Sequence, residues 1–282
     1  MFDSHCHLHD DRIYDHAEQV IARAEQAGLS GVLLAGVDAA SWSRQDRLRV
    51  QFESPSFSVG VAYGVHPQIA ASLSSSQLDE QLAQLRLAVR GQLSCDGVVL
   101  QAAHAIGELG LDASSEQMRA ALPVQERAFR AQLALSRELN VPIVLHILRT
   151  HPATLRILKS DGIPRASGVV HSFGGSAELC KEYVALGLSI SFAGGITLEH
   201  APRLSAAAQV VPLGRLLVET DAPDQTPLSL RPARCEPAFV SAVIAKLAQL
   251  RGETALAIAK ASEENARRLF RLPMPSKSSR SG

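Results

Sequence analysis

The segment Asp3-Ser4-His5-Cys6-His7-Leu8-His9 places three of the chain's ten histidines within five residues. In an extended strand residues i and i+2 share a face, so His5 and His7 project to one side and Cys6 to the other, toward the protein wall. Two imidazoles on one face make half of a transition-metal site. His9 continues the alternation, but there the chain should already have left the strand, and it is expected to be a bystander. Other polar residues close apolar runs: His66 in Gly64-Val65-His66-Pro67, Glu108 in Gly107-Glu108-Leu109-Gly110-Leu111-Asp112, His146 after Val144-Leu145, His171 in Val170-His171-Ser172, and Asp221 in Val218-Glu219-Thr220-Asp221. The set His5, His7, Glu108, His146, His171 and Asp221 suits Zn, Mn, Fe, Co or Ni better than Ca, and a mixed site also admits Mg. Six ligands exceed one tetrahedral ion. They fit two divalent ions about 3.5–4 Å apart under a bridging carboxylate, an arrangement suited to hydrolysis. Two such ions outweigh the two carboxylates, which leaves a positive site attractive to phosphate.

Those residues need elements to bring them together. Eight short apolar runs alternate with longer stretches of helical periodicity: Met1–His5, Gly31–Ala35, Phe57–Val65, Ala103–Leu109, Pro142–Leu148, Gly168–Ser172, Leu188–Phe192 and Arg215–Glu219. Alternation of this kind marks βαβ units around a parallel sheet. Between the fourth and fifth runs, Pro123 suits a first helical turn, Val124, Ala128, Ala131 and Leu135 repeat on one face, and Asn140 suits a C-terminal stop. Eight units in a chain of 282 residues predict an α/β fold, a (β/α)8 TIM barrel over residues 1–271, with an open doubly wound sheet as the alternative. In a barrel the active site lies at the C-terminal ends of the strands, where the polar residues stand. Residues 272–282 have the composition of a disordered tail.

The formal net charge is zero, so no global field marks a nucleic-acid or membrane-surface protein; any attraction for an anion must be local. The first twenty residues lack the apolar run of a secretory signal, and no stretch has the length of a membrane helix. Cys6, Cys95, Cys180 and Cys235 are scattered without CxxC spacing, as in a reduced protein. A cytoplasmic protein is expected, with no membrane and no obligate protein partner.

The blocks D-S-H-C-H-L, G-V-H-P, A-I-G-E-L-G-L-D, V-P-I-V-L-H, V-V-H-S-F-G-G, S-F-A-G-G-I-T, L-L-V-E-T-D-A-P and E-N-A-R-R-L-F occur in order across about residues 1–271. This pattern resembles the TatD family of metal-dependent hydrolases. The resemblance implies an amidohydrolase-like barrel with two divalent metal ions (Mg, Mn or Zn), many members being deoxyribonucleases that cut phosphodiester bonds. It further implies that His5 and His7 bind one metal, that His146 and His171 bind a second, and that Glu108 bridges them. Asp221 is implied as a first-metal ligand and as the carboxylate that takes a proton from water. His66 is implied at the pocket's edge, in contact with a nucleic acid or other phosphodiester substrate.

The chain departs from the family in several places. An arginine two positions after the fifth-run histidine is displaced by one, to Arg149, which is either a substrate contact or a solvated loop residue. Aromatic residues near the cavity mouth are replaced by Ala113 and by Asp224, which adds a negative charge. Cys235 stands first in an otherwise kept Glu-Pro block, and Arg231 and Arg234 are either phosphate contacts or partners in surface ion pairs. These departures keep two alternatives in view: a hydrolase of small esters or amides, and a barrel that binds without catalysis.

Overall fold

The computed structural model describes residues 1–95 and 97–275. Eight strands form one parallel sheet in chain order: β1 (Phe2–Cys6), β2 (Gly31–Ala35), β3 (Ser58–Tyr63), β4 (Ala105–Asp112), β5 (Ile143–Leu148), β6 (Gly168–Val170), β7 (Ser189–Phe192) and β8 (Leu216–Val218). Helices lie between them, and strands buried on both faces read as continuous apolar runs, as Gly-Val-Leu-Leu-Ala in β2 does. The sheet closes where the chain leaves β8. Asp221 N–H donates to His5 O (3.0 Å), His7 N–H donates to Ala222 O (2.7 Å), and Cys6 bridges Ala222 in parallel register. Below this seam the buried Asp3 carboxylate accepts the Thr220 N–H (2.9 Å) and hydroxyl (2.5 Å). The architecture is therefore the expected (β/α)8 barrel, not the open sheet.

Strict alternation along β1 is broken once. Phe2 packs in a cluster with Leu33, Ala62, Ala105, Val144, Val169 and Leu217, one residue from each of seven strands, which places it inside the barrel. Ser4 Oγ lies 3.1 Å from Ser191 Oγ on β7, two strands away, so Ser4 also faces inward. His5 should then face out. Instead the β1–β2 register advances three residues on β1 for two on β2 between Asp3 and Cys6, and this bulge turns His5 and His7 inward while Cys6 joins the outer core. A second irregularity, between Ile106 and Leu109 on β4, surrounds Glu108. There β4 presses against β5 so closely that a Cβ at Gly110, where φ is +143°, would lie 2.0 Å from His146 O.

The helix Leu122–Leu139 carries Pro in its first turn and ends on Asn140 in the left-handed region (φ 50°, ψ 49°). Its buried face is rotated from the apolar stripe expected: Val124 and Ala131 are only partly covered, whereas Gln125 and Gln132 are fully buried. Gln132 accepts the Val65 N–H (2.8 Å) and donates to Val65 O (3.0 Å); Gln125 does the same for Asp112 (2.8 and 3.1 Å). Two amides spaced seven apart thus satisfy the backbone beyond β3 and at the end of β4, which no apolar residue could do.

The barrel floor is sealed from the chain's far end. Ala266, Leu269 and Phe270 of the helix Ala255–Phe270 join the interior cluster, as does Leu272, which is 6% exposed. A Cβ on Gly60 would lie 3.2 Å from Leu272 Cδ1, so Gly60 provides its space. Leu272 therefore belongs to the barrel and not to the tail expected from that residue onward; residues 276–282 lie outside the described residues. Replacing Leu272 with Ala is expected to lower unfolding free energy by about 2–5 kcal/mol in urea titration, with unchanged metal content of the folded protein.

Candidate metal centre

All six expected ligands meet at the C-terminal mouth of the barrel, around Glu108. This carboxylate is 2% exposed, and its two oxygens face different partners. Glu108 Oε1 lies 3.5 Å from His5 Nε2 and 3.3 Å from His7 Nε2. Asp221 Oδ1 lies 3.7 and 3.3 Å from the same two nitrogens, which are 3.2 Å apart. Glu108 Oε2 lies 2.8 Å from His171 Nε2 and 3.4 Å from His146 Nδ1, and these nitrogens are 3.1 Å apart. His66 Nε2 stands 3.8 Å from the same oxygen.

These separations provide a test of fit. Ligand atoms about 2.0–2.1 Å from a tetrahedral centre lie roughly 3.3–3.4 Å from one another. The spacings around Oε1, from 3.2 to 3.7 Å, match that geometry. Those around Oε2 are similar or shorter. The donor chemistry, imidazole with carboxylate, suits divalent transition ions.

The electrostatics point the same way. Burial opposes charge on Glu108, yet His171, His5 and His7 together hold it well below the usual carboxylate range. Burial likewise opposes protonation of His7, but Glu108 and Asp221 override it and lift the imidazole to about 9. The same contest, settled by Glu108, raises His171. Asp221 is held low despite burial by His7, His171 and His5. Without cations, protons carry the positive charge that the carboxylates require, and divalent ions would displace those protons.

Three of the imidazoles have a polar group behind them, whereas the buried Nδ1 of His5 has no hydrogen-bond partner among the described residues. His7 Nδ1 lies 2.9 Å from Ala35 O, and donating there leaves Nε2 free for the site. His146 uses the opposite edge: Nδ1 faces Glu108 while Nε2 lies 3.4 Å from Asp112 Oδ2, which also accepts from Gln68 Nε2 (2.7 Å). His171 Nδ1 lies 3.5 Å from Glu219 Oε1, an oxygen that accepts the Ser172 N–H (2.6 Å). Gln225 Nε2 donates to Asp221 Oδ2 and to Ser172 Oγ, both at 2.5 Å. Ser172, Asp221 and Gln225 all adopt positive φ (43°, 56° and 52°), a backbone strain of about 1–3 kcal/mol per residue that this amide helps to hold. Asp112, Glu219, Gln68 and Gln225 were not singled out from the sequence. Two carried a usable signal, since Asp112 and Glu219 fall at even spacing from Glu108 and Asp221.

The remaining expected residues divide. His66 lines the cavity, its Nδ1 accepts the Gln68 N–H (3.2 Å), and burial with His146 nearby pushes it down to about 3, so it is neutral. His9 lies beyond β1, as expected, yet near the centre: 6% exposed, it lines the cavity with its ring edge-on to His7, 5.5 Å between centroids. Arg149 does not line it. A left-handed turn (φ 60°) sends its guanidinium to Ser114 O (3.3 Å) on the exposed surface. Arg231 and Arg234 likewise bond backbone carbonyls, of Thr226 and Arg12. Asp224 does reach the mouth, where Arg12 holds it with two bonds (2.8 and 2.7 Å). Among the described residues no helix is long and apolar enough to cross a membrane, and all four cysteines are free.

A family profile described as TatD related DNase matches residues 2–271. The chain is 32% identical over 272 residues to the uncharacterized metal-dependent hydrolase YabD of Bacillus subtilis, covering 96% of this chain and 99% of that protein. It is 37% identical over 277 residues to the 3'-5' ssDNA/RNA exonuclease TatD of Pectobacterium parmentieri, covering 96% and 100%. The crystal structure of YJJV, a TATD homolog from Escherichia coli K12, superimposes with a TM-score of 0.84 at 30% identity, over 97% of this chain and 98% of that one. A phosphotriesterase homology protein from Escherichia coli shares the fold at 16% identity, with a TM-score of 0.67 over 95% and 98%. Barrel, histidine-carboxylate centre and full-length similarity agree, and the chain belongs to the TatD related DNase family of metal-dependent hydrolases.

Proposed function

We propose that the protein is a phosphodiesterase acting on DNA or a related nucleic acid, with two divalent ions, Mg, Mn or Zn, held on either side of Glu108. The observation that carries this is the division of the Glu108 oxygens between two sets of imidazoles. The relatives named as 3'-5' ssDNA/RNA exonucleases support the substrate class. In this reading His5, His7 and Asp221 bind one ion and His146 and His171 the other. Divalent ions, when bound, supply Lewis acidity: they acidify water and neutralise charge on phosphate oxygens.

This chain's own groups do the rest. Asp221 Oδ2 is pinned by Gln225, so Oδ1 keeps a fixed direction toward the cavity and accepts the proton of the attacking water. Glu108 keeps both halves of the centre at one spacing. His66, neutral and on the rim of the centre, contacts the substrate. The cavity, about 630 Å³, admits a small ligand while the barrel wall behind the imidazoles excludes bulk water.

Glu108→Gln and Asp221→Asn are each expected to reduce turnover by at least about a hundredfold, with unchanged circular dichroism. Near-normal activity in either refutes its role. Glu219→Gln and Asp112→Asn are expected to weaken metal affinity about 10- to 100-fold by titration, because they orient His171 and His146. Substrate class is tested by loading the apoprotein with Mn, Mg or Zn and offering single-stranded DNA, bis-p-nitrophenyl phosphate and a p-nitrophenyl carboxylic ester. Cleavage of both phosphodiesters is expected; cleavage of the ester alone establishes the small-ester alternative instead.

A further inference from the structure

Single-stranded nucleic acid is held by two devices, aromatic rings on which bases stack and a basic track that follows the phosphates. Among the described residues neither is present around this cavity. The chain has one Trp, three Tyr and eight Phe. Nine of these rings are buried, and the other three, Tyr14, Phe52 and Phe239, pack against the core. Tyr14, on the turn after β1, has the Arg44 guanidinium over its ring, 5.0 Å from the centroid. Among the described residues no Phe, Tyr or Trp lines the cavity, and the rings that do are imidazoles.

The charge of the rim is equally unfavourable to a long polyanion. Among the described residues, Asp10, Asp11, Asp38 and Asp224 line the mouth against Arg12 and Arg44 alone. Both arginines are already engaged. Arg12 bonds Asp224 through two nitrogens and Asp10 through two (2.9 Å each), and Arg44 pairs with Asp11. A strand leaving the centre would carry its further phosphates across this acidic ring. A neighbouring cavity of about 370 Å³ shares Arg12 and adds Arg23 and Arg234, but Arg23 is gripped by Glu236 (2.9 and 2.6 Å).

We propose that the site takes dinucleotide-sized phosphodiesters and engages only the scissile phosphate and the two nucleosides it joins, so that lengthening the strand adds no binding. This specificity rests on the phosphodiesterase reading above and narrows its substrate class. The positive centre attracts one phosphodiester, and the acidic rim denies purchase to the rest of a chain.

The test compares, on the Mn-loaded protein, a deoxydinucleoside monophosphate with a single strand of about twenty nucleotides, longer than the roughly 4–16 nucleotides a stacking groove occupies. kcat/KM per cleavable end is expected to agree within about threefold, and log kcat/KM against log salt to have the same slope for both. Asp224→Asn, which removes one rim charge and loosens Arg12, is expected to raise kcat/KM for the long strand severalfold and leave the dinucleotide unchanged. A long strand preferred by more than about tenfold, with a slope steeper by about 0.7 for each extra phosphate contacted, overturns the proposal. So does a selective loss of long-strand cleavage in Arg234→Ala, which would place the next phosphate in the neighbouring cavity. Cleavage of neither phosphodiester, with the p-nitrophenyl ester cleaved, is a separate result that removes the phosphodiesterase reading itself.

Discussion

A carboxylate that is almost wholly buried must be surrounded by positive charge or lose its own, and Glu108 sets this condition for the whole mouth of the barrel. Burial works to neutralise it, and the imidazoles packed against its two oxygens keep it ionised. Those imidazoles come from β1, β5 and the end of β6, so no single βα unit can meet the demand. The closed barrel supplies convergence of strands that are far apart in sequence, and a charged core at its rim is stable only while that convergence is maintained.

The requirement spreads outward. An imidazole offers a lone pair in a chosen direction only when its other nitrogen is held; Ala35 O and Asp112 do this for His7 and His146, and the Glu219 carboxylate stands 3.5 Å behind His171. Asp112 is in turn fastened through its backbone by Gln125, from a helix outside the sheet. A line of contacts therefore runs from the surface of the molecule to the centre through buried polar groups, each satisfied by the next.

Much of this was legible in the sequence, and the reasons differ from case to case. Strand ends carrying His or Glu could be recognised because parallel strands are otherwise apolar, and β2, Gly31–Ala35, is found with the limits its run predicts. The bulge on β1 was not legible, since a register shift belongs to two strands at once and neither shows it alone. His9 lies beyond β1 as expected, but alternation is uninformative once the chain turns, and it could not show that the turn bends this ring back against His7. Arg149 followed the same limit in the other direction: one left-handed residue decides where the guanidinium goes. Gln125 and Gln132 escaped because amphipathic analysis counts polar residues as exposed, whereas here they replace missing strand partners.

The seam that closes the barrel also has a place in time. Asp3 and Thr220, 217 positions apart, are joined there, and the adjacent His5, His7 and Asp221 meet only when that joint is made. Glu108, His146 and His171 all precede Asp221 in the chain. A growing chain therefore holds five of the six clustered side chains before the last, Asp221, is made, and the strand that leads to it is also the one that shuts the cylinder.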